Sequence, residues 1–184
     1  VSIPFEAGGI PPWSFGGAPK CAFDTLFVRL ETESGVVGWG EAFSRNEDTA
    51  LKSLIDTRVL SLVLGRDASQ ISKIKFDLEF QLQNFGRVGP IVYGISAVDT
   101  ALWDIKGKAA GQSLVELLGG PFAGEVEVYA SLLRYGNMDD VVKITRQAIE
   151  RGYRYIKLHE VTLPEIHAAV EAAGNDALVM LDAN

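Results

Sequence analysis

The stretch "GYRYIKLHEVTLPEIHAAVEAAGNDALVMLDAN", Gly152–Asn184, reads as strand, helix, strand. "YRYIKLH" is a short run rich in aromatic and β-branched residues, and "ALVMLD" is an apolar run of strand length. Between them, "TLPEIHAAVEAAG" sets Thr162 and Glu165 at capping-box spacing, with Pro164 early, where its missing N–H does no harm. Upstream, "VEVYASL" is a further strand, and Asn137 caps the helix "MDDVVKITRQAIERG". Strand starts lie roughly 25 residues apart, as β/α units require. Three parallel strands with two crossovers make either a small open sheet or the start of a barrel.

In parallel α/β sheets and barrels, ligands sit at the carboxyl ends of the strands. Two strands here end on ionisable groups. In "IKLH", Lys157 and His159 are two apart, so strand periodicity puts both on one face and Leu158 on the other. In "LDAN", Asp182 ends the strand and Asn184 shares its face. Neighbouring strands lie about 4.8 Å apart, so Lys157, His159 and Asp182 are expected to share one pocket. Such a pocket suits removal of a proton next to a carboxylate. That proton is weakly acidic, so the enediolate needs a divalent cation, and an amine or imidazole must act as base. One carboxylate does not hold Mg²⁺ tightly, so further acids are expected beyond Asn184. Taken singly, Asp182 would serve equally as a helix N-cap, and the plainer roles for the other two are a snorkelling surface lysine at Lys157 and a hydrogen-bonding residue at His159. His167, mid-helix, reads as structural.

The first 120 residues are organised differently. After the loop "EAGGIPPWSFGGAPK", Leu26, Val28 and Leu30 alternate with Phe27, Arg29 and Glu31, the pattern of a half-buried strand. "ESG" turns the chain, and "VVGWGEA" returns as its partner. Three helices follow. Ser44 and Glu47 have capping-box spacing ahead of the first, and Ile71, Ile74, Leu78, Leu82 and Phe85 mark the second. "GISAVDTALWDIKGKAAG" carries Ile95, Val98, Ala101, Leu102, Ile105 and Ala109 on one face of the third. Ser113 and Glu116 cap a short fourth helix that ends at Gly119 and Gly120. A meander followed by helices is an α+β arrangement.

The whole chain has 184 residues, 47% of them hydrophobic, enough for one large domain or two small ones with a substantial core. Its net charge is −7 and no run concentrates the 17 Lys and Arg, which argues against a nucleic-acid surface. No stretch approaches the roughly 20 apolar residues of a membrane span. The single cysteine, Cys21, has no internal partner, which fits a cytoplasmic protein. The start "VSIPFEAGG" and the abrupt end read as a chain entered and left midway.

Several segments together resemble the mandelate racemase / muconate lactonizing enzyme family of the enolase superfamily. They are "GVVGWGEA", "YGISAVDTALWDIKGKAAGQSLVELLGG", "YASL", "GYRYIKLH" and "LVMLDAN". The resemblance implies an α+β capping domain over residues 1–122. Residues 123–184 would then be the first strands and helices of a TIM-like (β/α)7β barrel, stopping after its third strand. It implies one Mg²⁺ per site, with Asp182 the first of three acidic ligands and Asn184 beside it in a D-x-N motif. Lys157 matches the first position of the K-x-K motif, which helps neutralise the substrate carboxylate. His159 stands at the second position, where the family usually has its base lysine. The loop holding Trp13 and Phe15 would close over the substrate. The implied reaction is abstraction of the proton α to a carboxylate, giving racemisation, epimerisation or dehydration of a small carboxylic acid, an acid sugar among them. The alternatives are a muconate-type cycloisomerase, a dipeptide epimerase, or a scaffold or binding fragment without catalysis. A homo-oligomer is expected at full length. The remaining metal ligands and the opposite-face base would lie beyond Asn184, so the 184 residues alone are expected to be inactive.

Overall fold

Alternating apolar residues around Gly35 become an antiparallel hairpin in the computed structural model, which describes residues 1–5, 9–12, 20–44, 47–120 and 124–183. The described chain divides into two compact units. One comprises Val1–Ser2 and Asp24–Gly124, the other Ile3–Phe23 and Glu125–Asn184. The second unit thus takes in residues 3–23 as well as the C-terminal part of the chain. Two short strands, β1 (Ser2–Pro4) and β2 (Ala22–Asp24), pair with each other at this opening.

In the first unit, β3 (Leu26–Glu31) pairs with β4 (Val37–Ala42), Val28 opposite Gly40 and Leu30 opposite Gly38. Gly35 turns the hairpin at φ +82°. Helices α1 (Asp48–Leu54), α2 (Ile71–Gln81), α3 (Pro90–Ala110) and α4 (Leu114–Leu117) follow. The signature helix α3 buries Ile95, Val98, Ala101, Leu102 and Ile105, and Gly111 ends it in the left-handed conformation. Ala109, expected on that stripe, lies in the last turn of α3 and is exposed. Phe85 is likewise exposed, in a separate tight turn after α2. Ser113 and Glu116 form the expected capping box. Ser44 and Glu47 do not, because a turn from Glu47 N–H to Ser44 O closes first and Glu47 itself becomes the N-cap of α1.

Strand β4 lies directly on the backbone of α3. A Cβ on Gly40 would stand 1.9 Å from Ala97 O, and one on Gly38 2.1 Å from Ala101 O. Side chains further along α3 fix the same contact. Asp104 accepts from Trp39 N–H at 2.9 Å and from Lys108 at 2.6 Å, and Lys108 also donates to Val37 O at 2.9 Å. The Lys108 ammonium, aided by the Trp39 N–H, holds the Asp104 carboxyl below its usual value.

The second unit contains the parallel sheet β5 (Ala130–Ser131), β6 (Tyr155–Leu158) and β7 (Leu178–Leu181), in that spatial order. Helices α5 (Met138–Glu150) and α6 (Leu163–Ala173) make the crossovers and pack on each other. Ile156, Leu158, Val141, Ile144 and Ala169 form its core. The strand expected over "VEVYASL" shrinks to two residues, because only Ala130 and Ser131 find ladder partners on β6. Asn137 caps α5 as expected, its side chain accepting from Asp140 N–H. Thr162 precedes α6 without a side-chain cap bond.

Two predictions follow from the β4–α3 contact. Gly40→Ala should destabilise the protein by about 1–3 kcal/mol through overpacking, measured by urea unfolding, while Gly124→Ala, whose Cβ meets nothing within 4 Å, should be nearly neutral. The lowered value of Asp104 means its ionised form is favoured by folding. That stabilisation is present above the ordinary carboxylate value and is lost as pH falls through the lower folded value. Asp104→Asn should therefore flatten the acid limb of a stability–pH curve and leave stability near neutrality lower than that of the unaltered protein.

Candidate active site at the carboxyl ends of the parallel strands

Burial alternates along β6 and beyond its end. Ile156, Leu158 and Glu160 are buried, whereas Tyr155, Lys157 and His159 are half-buried on the opposite face. Register sets Lys157 against Met180 and Leu158 against Leu181, so the next residue of the third strand, Asp182, arrives beside the basic pair. Its N–H donates to Leu158 O at 2.9 Å, which extends the ladder by one bond.

Lys157 Nζ donates to Asp182 Oδ2 at 3.0 Å, and His159 Nε2 lies 3.3 Å from the same oxygen. Side-chain exposures of 22%, 20% and 31% for Lys157, His159 and Asp182 place the cluster at a partly shielded surface, where charge interactions are stronger than in open water. The Lys157 ammonium also stands 5.8 Å over the Tyr129 ring.

The other imidazole nitrogen, His159 Nδ1, is 2.6 Å from Leu132 O. A carbonyl oxygen only accepts, so this hydrogen bond requires the proton on Nδ1. A neutral imidazole then carries its lone pair on Nε2, the nitrogen that lies 3.3 Å from Asp182 Oδ2. Two acceptors this close call for a proton or a cation near both, and Lys157 supplies positive charge at the shared oxygen.

The three side chains are thus brought together. Asn184, Trp13 and Phe15 lie outside the described residues. His167 is exposed on α6. Sequence reading passed over Glu160, which is 2% exposed and accepts from Tyr135 N–H at 2.7 Å and from Gly136 N–H at 3.2 Å. The signal was available: even alternation from Ile156 through Leu158 sends Glu160 to the core face, where a carboxyl group needs donors. Burial raises the Tyr135 phenol above its ordinary value, and the charges of Glu160 and Asp140 add to this.

No group of three or more His, Cys, Asp or Glu residues gathers to hold a metal among the described residues. Asp182 fits Mg²⁺ as one hard oxygen ligand at a strand end, with the rest of the shell to come from elsewhere. No described helix is long and apolar enough to cross a membrane.

Residues 19–119 match the family model for the N-terminal domain of mandelate racemase / muconate lactonizing enzyme, more than half of the chain. Among curated relatives, the D-mannonate dehydratase of Rhizorhabdus wittichii is 38% identical over 143 residues, covering 76% of this chain and 34% of its own length. The D-galactarolactone cycloisomerase of Agrobacterium fabrum is 33% identical over 168 residues, covering 86% and 44%. The crystal structure of a racemase from Streptomyces coelicolor A3(2) with bound magnesium superposes with a TM-score of 0.83 at 30% identity, covering 100% of this chain and 52% of that one. The chain spans about half or less of the length of these relatives. It belongs to the mandelate racemase / muconate lactonizing enzyme family of the enolase superfamily.

Proposed function

We propose that this chain forms one wall of a Mg²⁺-dependent site that removes the proton α to the carboxylate of a small acid, an acid sugar above all. The observation that carries the reading is the convergence of Lys157 and His159 on Asp182 at the carboxyl ends of neighbouring parallel strands. The similarity to a mannonate dehydratase and a galactarolactone cycloisomerase supports an acid-sugar substrate. In this reading β5, β6 and β7 open a (β/α)7β barrel, and the whole protein assembles as a homo-oligomer.

Asp182 would hold Mg²⁺, with Asn184 next to it and further ligands from outside the described residues. When bound, Mg²⁺ supplies the positive charge that offsets the negative charge developing on the substrate carboxylate. Lys157 neutralises part of that same charge through its ammonium. His159 takes the α-proton on Nε2, the nitrogen left basic by the Leu132 hydrogen bond. The resulting imidazolium keeps Leu132 O as the partner of its Nδ1–H. Return of a proton to the opposite face inverts the centre, whereas departure of a β-hydroxyl gives dehydration. In this reading cycloisomerisation would begin with the same proton abstraction.

In the whole protein, His159→Gln should lower Mg²⁺-dependent exchange of the substrate α-proton in D₂O by roughly 10²–10⁴-fold, the usual worth of a general base. Unchanged exchange would remove His159 from the chemistry. Asp182→Asn should abolish saturable Mg²⁺ binding in calorimetric titration. Retention of binding at the original affinity would show that the metal sits elsewhere.

A further inference from the structure

We infer that Glu160 is a positioning residue that, through the segment Leu132–Gly136, fixes which nitrogen of His159 is left unprotonated. The inference rests on the His159 face of the proposed site, but its test reads the imidazole directly.

Two adjacent residues after β6 grip the segment that follows β5. His159 reaches Leu132 O through Nδ1 at 2.6 Å. Glu160, on the other face, takes the N–H groups of Tyr135 and Gly136, with distances of 2.7 Å to Tyr135 and 3.2–3.3 Å to Gly136. Gly136 sits at φ +71°, which helps present successive N–H groups to one acceptor. The β5–β6 ladder does not hold this segment on its own. It comprises two residue pairs, and Leu132 N–H to Lys157 O at 2.8 Å is its last bond. Beyond that bond, no further backbone hydrogen bond ties residues 133–136 to β6 or the residues that follow it, among the described residues. Glu160 takes the place of the missing ladder.

Burial makes this link firm. At 2% exposure, Glu160 has little water to replace lost donors, so release of the Tyr135 and Gly136 N–H groups would leave its carboxyl group and both amides poorly satisfied. The position of Leu132 O then follows from the segment being held at both ends, by the ladder at Leu132 and by Glu160 at 135–136. A carbonyl held at Nδ1 selects one tautomer of a neutral imidazole and leaves Nε2 facing Asp182 and Lys157. Glu160 needs no contact with substrate or metal for this.

The chain has two histidines, and the second, His167, is exposed on a helix and serves as an internal reference. Protein labelled with ¹⁵N at histidine should show His159, when neutral, as one tautomer with the proton on Nδ1. A wild-type spectrum with the proton on Nε2 overturns the inference without any variant. Glu160→Ala should replace the single pattern by a tautomer mixture at His159 while the His167 signals stay in place. Glu160→Gln, which keeps one side-chain oxygen for the amides, should retain most of the wild-type pattern. An unaltered His159 tautomer in folded Glu160→Ala overturns the inference. Should Glu160→Ala fail to fold, Glu160→Asp, one methylene shorter, takes its place with the same two outcomes. In the whole protein, Glu160→Ala should lower kcat by about ten- to a hundredfold with little change in KM. A tautomer that depends on Glu160 alongside full turnover in His159→Gln would leave the positioning role standing and dismiss the base assignment. A fixed tautomer indifferent to Glu160 alongside lost turnover in His159→Gln would do the reverse.

Discussion

Parallel pairing of β6 with β7, in the one register that sets Leu158 against Leu181, is the constraint on which the candidate site depends. Strand side chains alternate, so a slip of one residue would exchange the two faces of a strand. Lys157 and His159 would then turn toward α5 and α6, and Ile156 and Leu158 would face outward. Burying two apolar residues of this size, each worth roughly 1.5–3 kcal/mol, opposes the slip. Ile156 and Leu158 are 0% and 1% exposed, so the core decides the orientation of the polar residues between them. The polar face of β6 is in this sense a consequence of its hydrophobic face.

Much of this was legible in the sequence because it follows from periodicity. The alternation in 26–31, the stripe on α3 and the strand–helix–strand order after residue 150 are side-chain patterns, and each produced the expected element. What escaped was set by backbone groups. Ser44 did not cap α1 because a backbone turn at Glu47 came first. Thr162 precedes α6 with no bond from its side chain to the helix N–H groups. "VEVYASL" has strand composition but became strand only where β6 offered partners, at Ala130 and Ser131. Gly38 and Gly40 look like ordinary strand glycines, yet they mark where one backbone rests on another. A pattern of side chains carries little information about such contacts, because the groups that make them are the same at every residue.

The candidate site divides along the same line. Lys157, His159 and Asp182 could be placed on one face by counting in twos and by adjacency of strand ends. The Leu132 carbonyl and the Tyr135 and Gly136 amides could not, although they orient the imidazole and anchor the segment around it. Glu160 stands between these classes. Its position in the alternation signalled burial, and burial signalled donors, but not which ones.

In the proposed reading His159 stands at the second position of a motif that usually carries lysine there, and the two side chains pose different physical problems. A lysine base has one nitrogen on a flexible stem, and its difficulty is charge, since it must lose a proton that it holds strongly in water. A histidine base is readily neutral near pH 7, and its difficulty is direction, because its two nitrogens are inequivalent and only one faces the reaction. Replacing lysine by histidine therefore removes the need for strong desolvation and introduces the need for a fixed acceptor at the rear nitrogen. This structure supplies that acceptor, a main-chain carbonyl at 2.6 Å, on a segment held in place by the next residue along the chain. His159 and Glu160 are best understood as a pair. The first would meet the substrate, and the second keeps the first facing the right way.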